Sequence, residues 1–273
     1  MTICLNGKNY ETKAACLEEL KEEYQVPENQ TVIWIVEGFQ TQENLPISEG
    51  MTVHCIPKGV FPPEEELLSM MCARHTPHVH EKVRQAGVAI AGLGGLGSNI
   101  AVMLARTGVG RLHLIDFDIV EPSNLNRQQY FIRHLGMYKT EAMKDLLSQI
   151  NPYIEVRVDT VKIDESNCAG LFAEDEIICE AFDKPDAKAL LTDVILTEYP
   201  EKYLICGSGM AGYGTSNAIR TRAITDHFYL CGDGVSAAAP GNGLMAPRVT
   251  ICAAHEANMA LRCILGLGAD GEA

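Results

Sequence analysis

The chain has no apolar run near the roughly 20 residues needed to cross a bilayer, and none of its ten cysteines lies in a Cys-x-x-Cys pair. The first absence argues against an integral membrane protein. The second, in a chain of 273 residues, argues against a disulfide framework. No charged n-region with a cleavage site opens the sequence, so the expected compartment is a reducing cytoplasm. Basic residues are also scarce: 22 Lys and Arg against 36 Asp and Glu leave a formal net charge of -14. Neither a nucleic-acid backbone nor an anionic membrane surface attracts such a body as its main partner. Any phosphate site must therefore be locally basic.

What the chain does have is a composition 47% hydrophobic, enough for one α/β core and a small additional domain. The stretch Val88-Ala-Ile-Ala-Gly92-Leu-Gly94-Gly95-Leu-Gly97-Ser98 organises the larger part. An apolar β-run empties into spaced glycines and then into a helical sequence, the way a parallel sheet presents a phosphate site. Gly92 permits the turn, Gly94 and Gly95 let backbone N–H groups reach a phosphate, and Gly97 lets helix and strand approach. The spacing alone does not separate dehydrogenases from nucleotide-activating enzymes. Arg111 to Ile115 reads as the second strand, ending at Asp116-Phe117-Asp118, where Asp116 is placed to accept from ribose hydroxyls and Asp118 serves as a second acid or as a turn residue.

The segment Ser123-Asn124-Leu125-Asn126-Arg127-Gln128 separates the possibilities. Hydride transfer gives no reason to cluster Asn, Arg and Gln just beyond a ribose-binding acid, whereas a triphosphate does. Lys139, opening a helix that runs to about Ile150, adds a second cation. Downstream, Ile154 to Val161 and Ile177 to Cys179 read as strands, the latter leading to Glu180 and Asp183. Pro185 to Tyr199 is a helix, Tyr203 to Cys206 a strand, Ser216 to Ala223 an outer strand, and Arg248 to about Leu265 the last helix. Gly207 to Gly214 is either a path for a flexible peptide tail or a long turn, and Asp233 to Gly243 is a second mobile-loop candidate.

Ahead of residue 60 the pattern changes. Ile3 to Leu5, the turn Asn6-Gly7 and Lys8 to Thr12 make a hairpin. Ala14, Leu17, Leu20 and Tyr24 sit at helical spacing, with Pro27 ending that helix, and Thr31 to Glu37 and Thr52 to Ile56 are β-rich. Strand, strand, helix, strand, strand is a β-grasp order, and the segment resembles the ThiS-type sulfur carriers in length and pattern. A working carrier ends in a free Gly-Gly carboxylate. Here Pro57-Lys58-Gly59 runs on into Val60-Phe61, so the segment is expected to act as a substrate mimic or as a fused stability module. Pro62-Pro63 followed by Glu64-Glu65-Glu66 marks the boundary and the first turn of a helix. His75, His78 and His80 then fall close together. They read as no metal site, because Pro77 interrupts their spacing and no cysteine or acid completes a tetrahedron.

The ordered motifs Gly92 to Ser98, Asp116 to Asp118, Ser123 to Gln128 and Lys139 resemble those of the ThiF, MoeB and ubiquitin-activating superfamily. With the ThiS-like front end, the chain most resembles the ThiF branch. That resemblance implies a fold of two parts, a β-grasp domain over residues 1–59 and a Rossmann-like α/β adenylating domain over 60–273. It also implies ATP-dependent adenylation of the C-terminal glycine carboxylate of a ThiS-type carrier in thiamine thiazole synthesis, with release of pyrophosphate. The roles carried over are Arg127 and Lys139 on phosphate oxygens, Asn124, Asn126 and Gln128 as positioning groups, and Asp183 as the Mg2+ ligand, with Glu180 close enough in sequence to be confused with it. Arg74, ahead of the first strand, matches an arginine often supplied across a homodimer interface. Many members bind zinc through two Cys-x-x-Cys pairs; lacking these, the chain is expected to hold no structural zinc. Cys206 and Cys231 are sulfur-accepting candidates by location, with buried core cysteine as the default. Two rivals stand beside this reading: an NAD(P)-dependent oxidoreductase, and a non-catalytic binding protein whose carrier site is filled by its own β-grasp part.

Overall fold

The computed structural model describes residues 1–26, 30–76 and 79–268. The chain divides into two compact units, Met1–Glu81 and Lys82–Ala273.

The first unit begins with β1 (Thr2–Leu5) and β2 (Lys8–Glu11), paired antiparallel through the Asn6-Gly7 turn. Helix α1 (Leu17–Tyr24) follows, then β3 (Val32–Val36), the short β4 (Phe39–Gln40) and β5 (Thr52–Pro57). These strands form one sheet in the order β2-β1-β5-β3-β4, with β1 parallel to β5. The order expected from sequence is present, with β4 added. Helix α1 starts three residues later than the apolar spacing suggests. Cys16 is held extended in a bridge to Pro46, and the Leu17 N–H donates to the Leu45 carbonyl. Leu17 and Leu20 are completely buried against Ile3, Trp34 and Val53, each stabilising the unit by roughly 1.5–3 kcal/mol. Pro27, the expected stop of α1, lies outside the described residues.

Helix α2 (Glu64–Met71) belongs to this unit as well. Lys8 pairs with Glu65 and Glu66 at 2.6 and 3.1 Å, the Asn6 amide donates to Glu66, and His54 Nε2 meets the Ser69 hydroxyl at 2.9 Å. The compact unit thus extends past residue 59, and α3 (Val79–Gln85) leads into the second unit.

The second unit alternates strand and helix: β6 (Gly87–Ala91), α4 (Gly95–Thr107), β7 (Arg111–Ile115), α5 (Lys139–Ile150), β8 (Glu155–Asp159), α6 (Cys168–Leu171), β9 (Ile177–Glu180), α7 (Pro185–Glu198) and β10 (Tyr203–Gly207). Two strands, β11 (Arg220–Ala223) and β12 (Phe228–Gly232), and the long α8 (Ala246–Ile264) complete it. Seven strands stand in the order β11-β12-β10-β9-β6-β7-β8, all parallel except the β11–β12 pair. This is the Rossmann-like sheet expected from the sequence, with β12 as an unforeseen strand. The apolar runs of β6, β9 and β10 are buried on both faces, as helix-covered parallel strands require. From β6 the chain moves outward to β7 and β8, then returns to place β9 on the other side of β6. Ligands in such sheets lie beyond the strands' carboxyl ends, at that reversal.

Candidate functional site

Four strand ends converge at the reversal: Gly92 after β6, Asp116 after β7, Glu180 at the end of β9 and Gly207 at the end of β10. Above them lies a cleft of about 820 Å³. Gly92, Gly94, Gly95, Asp116, Asp118, Asn124, Arg127, Gln128, Lys139 and Asp183 all line it. Residues spread over some ninety positions of sequence are brought together by the sheet.

The glycine loop is fixed by contact. Gly92 has φ +92°, and a Cβ on Gly97 would stand 1.8 Å from the Gly92 carbonyl oxygen. Only glycine at 97 lets α4 start this close to its strand, with its N-terminal N–H groups aimed at the cleft. Asp116 holds the loop from the side: its carboxylate accepts from the Leu93 N–H at 2.6 Å and from the Asp118 N–H at 2.8 Å. Burial pushes its pKa above the ordinary carboxylate value, against the pull of Lys139 and these N–H groups. Asp116 therefore shapes the loop as well as facing the cleft.

The segment after β7 is organised by side chains that the sequence expectations had assigned to phosphate. Asn124 Oδ1 accepts from the Glu121 N–H at 3.0 Å and closes a short 3-10 turn. Asn126 accepts from Arg127 Nη1 at 2.8 Å and donates to the Leu244 carbonyl at 3.3 Å. Arg127 Nη1 also donates to the Ser123 carbonyl, and its aliphatic stem lies over Gly95. Two buried polar atoms of this segment have no hydrogen-bond partner among the described residues: Arg127 Nε and Gln128 Oε1. Buried polar atoms are normally satisfied, so orphans on a cleft wall mark where a ligand belongs. Lys139, buried at the start of α5, donates to Asp118 at 2.9 Å.

Asn99 was not foreseen. Its amide donates to the carbonyls of Gly95 and Arg127, and its oxygen accepts from Gln129, tying the Arg127 segment to α4. The available signal was a polar pair, Ser98-Asn99, completely buried at the start of an apolar helix. Lys188 of α7 was also missed. It donates to both oxygens of Glu180, at 2.9 and 2.8 Å, and to the Gly207 carbonyl at 2.9 Å. This separates two acids that sequence left confusable. Glu180 is buried and fully engaged, whereas Asp183 is exposed at the cleft and accepts no hydrogen bond from the described residues.

The glycine-rich stretch after β10 is an irregular loop strapped to the next one. Met210 and Ala211 donate to the Ser236 carbonyl, and Gly212 donates to that of Gly243. Asp233 anchors the start of the second loop, accepting from the Val235 and Ser236 N–H groups, the Ser236 hydroxyl and Arg248. Burial opposes the Asp233 charge, but these four donors outweigh it and bring its pKa down to about 2. Cys206 and Cys231 are buried core residues, and burial drives both thiols far above the ordinary range. Thiolate chemistry at either is thereby disfavoured.

Arg74 lies in the first unit, exposed, with its guanidinium donating to Gln40 Oε1 at 2.5 Å. In the same turn one expectation needs correction. A cysteine does accompany the histidines: ligand atoms of Cys72, His75 and His80 lie within 4.8 Å of one another. Cys72 stands one turn earlier, at the end of α2, where its carbonyl accepts from the His75 N–H at 2.8 Å. His78 and Pro77 lie outside the described residues.

The ThiF family pattern matches residues 68–272, and a ThiS-like ubiquitin pattern matches residues 1–59. This chain belongs to the ThiF family. Among curated relatives of this ThiF-family chain, the adenylyltransferase and sulfurtransferase UBA4 of Eremothecium gossypii is 34% identical over 49% of it. The probable adenylyltransferase/sulfurtransferase MoeZ of Mycobacterium tuberculosis is 33% identical over 41%. The matched stretches span 30% and 29% of those longer proteins. In fold, the chain is similar to E. coli tRNA N6-threonylcarbamoyladenosine dehydratase, TcdA, in complex with ATP. The TM-score is 0.66 at 22% identity, covering 76% of this chain and 98% of that one. E. coli MccB with ATP gives 0.53 at 25% identity, covering 68% and 57%.

Proposed function

We propose that this chain adenylates the C-terminal glycine carboxylate of a separate ThiS-type sulfur carrier, releasing pyrophosphate, as a step of thiazole formation for thiamine. The observation that carries the proposal is an unpartnered cationic donor, Arg127 Nε, on the wall of a cleft shared with the glycine loop and Lys139, while the orphaned Gln128 Oε1 is an acceptor for a nucleoside hydroxyl or amine. A helix N-terminus and two cations suit a polyanion. Relatives named as adenylyltransferases, and the ThiS-like pattern at residues 1–59, favour a β-grasp protein as the second substrate. The oxidoreductase alternative rested on the glycine loop alone, and membership of the ThiF family removes its support.

In the reaction, an oxygen of the carrier carboxylate bonds to the α-phosphorus of ATP while the bond from that phosphorus to the bridging oxygen breaks. Pyrophosphate carries away the electron pair. The protein needs no nucleophile of its own; alignment and stabilisation of charge around phosphorus suffice. Gly94 and Gly95 present N–H groups to the phosphates, Arg127 neutralises a phosphate oxygen, and Lys139 does the same by leaving Asp118. Asn124 and Asn126 hold the segment in register, Gln128 positions the nucleotide, and Asp116 and Asp118 face the ribose side. Asp183, an unengaged exposed carboxylate, fits a hard oxygen-seeking ion that keeps most of its water, and Mg2+ there would offset triphosphate charge.

The family resemblance further suggests a cytoplasmic homodimer in which Arg74 serves the partner's site. Phe117, Phe131, Ile132 and Tyr138, all close in sequence to the Arg127 segment, are exposed at 48, 58, 78 and 53%, the kind of surface a second copy covers. A crystal structure with ATP and Mg2+ tests the site: Arg127 and Lys139 should lie on phosphate oxygens, and side chains turned away from the nucleotide would refute these roles.

A further inference from the structure

We propose that Cys72, His75 and His80 form a three-ligand site for a thiophilic divalent cation of the zinc type. The proposal is independent of the adenylation reading and concerns the first unit alone.

The three ligand atoms already lie within 4.8 Å of one another. A tetrahedral ion bonded at about 2.3 Å to sulfur and about 2.0 Å to nitrogen sets its ligands roughly 3.3–3.5 Å apart. Closing the remaining gap takes about 1.5 Å at most, shared between two side chains, each only partly buried. The backbone is arranged for this. Cys72 ends α2 with its N–H on the Leu68 and Ser69 carbonyls, and the His75 N–H returns to the Cys72 carbonyl at 2.8 Å. That turn presents residues three apart on one side. His80 comes from the first turn of α3, which Val79 opens by donating to the Thr76 carbonyl at 3.2 Å. The two imidazoles face each other with ring centroids 5.7 Å apart, tilted by 53°.

The donor chemistry selects the ion. A thiolate and two imidazoles suit Zn2+ and its borderline neighbours, whereas Mg2+ and Ca2+ take oxygen. The intervals Cys-x2-His and His-x4-His fall among those of zinc sites. Three protein ligands leave a fourth position for water. Arg74 stands between Cys72 and His75 in the chain, so a bound ion would fix the backbone on both sides of that arginine.

Titration of the full-length, metal-free protein with Co2+ tests this. The expected result is one equivalent bound, with thiolate-to-metal charge-transfer absorption in the near ultraviolet, the visible bands of a tetrahedral ion, and displacement by Zn2+. Cys72→Ser should abolish the charge-transfer band. His75→Gln and His80→Gln should each weaken binding by more than the roughly 10–100-fold that losing a ligand's supporting partner costs. Cys4→Ser and Cys16→Ser, at the other partly buried thiols, should change nothing. Far-ultraviolet spectra matching wild type establish that each variant is folded, and Zn2+ should raise the Tm of wild type but not of Cys72→Ser. Absence of binding, a charge-transfer band that survives Cys72→Ser, or one that disappears with Cys4→Ser or Cys16→Ser would overturn the proposal.

Discussion

Lys188 clasps the buried carboxylate of Glu180 with its ammonium, 2.9 and 2.8 Å from the two oxygens, and reaches the Gly207 carbonyl at 2.9 Å. One side chain of α7 thus pins the ends of two adjacent strands below the cleft. Burial holds the Glu180 carboxyl above its ordinary pKa even with Lys188 beside it. Lys188→Met leaves that acid buried and unpaired and should destabilise the protein by about 3–5 kcal/mol. A folded pKa raised above the unfolded one means that native protein binds more protons, so stability falls as pH rises through the interval between them. Denaturant unfolding should therefore find the variant weaker at pH 8 than at pH 5. Adding Glu180→Gln should recover most of the loss.

Two glycines of the same loop should behave in opposite ways. A methyl on Gly97 would stand 1.8 Å from the Gly92 carbonyl, so Gly97→Ala should cost about 3 kcal/mol or more and distort the loop. A methyl on Gly94 meets nothing nearer than Gln128 Nε2 at 3.9 Å. Gly94→Ala should fold with stability within about 1 kcal/mol of wild type, yet lose ATP affinity because the methyl occupies the phosphate path. Calorimetric titration with ATP and thermal unfolding, run on both variants, distinguish the two effects.

Asp233 and Arg248 form a pair at 2.6 Å with only 8 and 4% of their side chains exposed. The Asp233 pKa of about 2 lies below the ordinary 3.8. Such a group stabilises the fold fully above its unfolded pKa and loses that contribution as pH falls from about 4 toward 2. The shift corresponds to about 2 kcal/mol. Asp233→Asn should lower stability at neutral pH by that order and remove this part of the acid dependence; identical acid unfolding curves would show the pair to be inconsequential.

Asp183 is exposed and makes no hydrogen bond with the described residues, so Asp183→Asn should change stability by no more than about 0.5 kcal/mol. If it holds Mg2+, the variant should need a higher Mg2+ concentration to reach half-maximal activity. An unchanged Mg2+ dependence would remove that role.

The sequence made legible whatever is local. The β-run, glycines and helix from Val88 to Thr107 carry a period and a composition that only a strand-turn-helix satisfies, and the Asn6-Gly7 hairpin has its turn written in two residues. The residues that joined the site unannounced depend on distance in sequence. Lys188 reaches Glu180 across a turn of the βα unit, and Asn99 touches Arg127 from 28 positions away; neither leaves a periodic trace. Cys72 was hidden by a helix end whose turn brings it back toward His75. Asn124 carried the right residue type, but its side-chain oxygen is directed to a backbone N–H, a choice that becomes visible only when the 3-10 turn is seen.

Adenylation of the carrier can be followed as exchange of labelled pyrophosphate into ATP, with the purified protein and a ThiS-type carrier. Exchange should require Mg2+ and the carrier's terminal Gly-Gly, and should fall by about 10²–10³-fold in Arg127→Ala. Exchange that proceeds equally well with a carrier lacking its terminal glycines would contradict adenylation of the carrier.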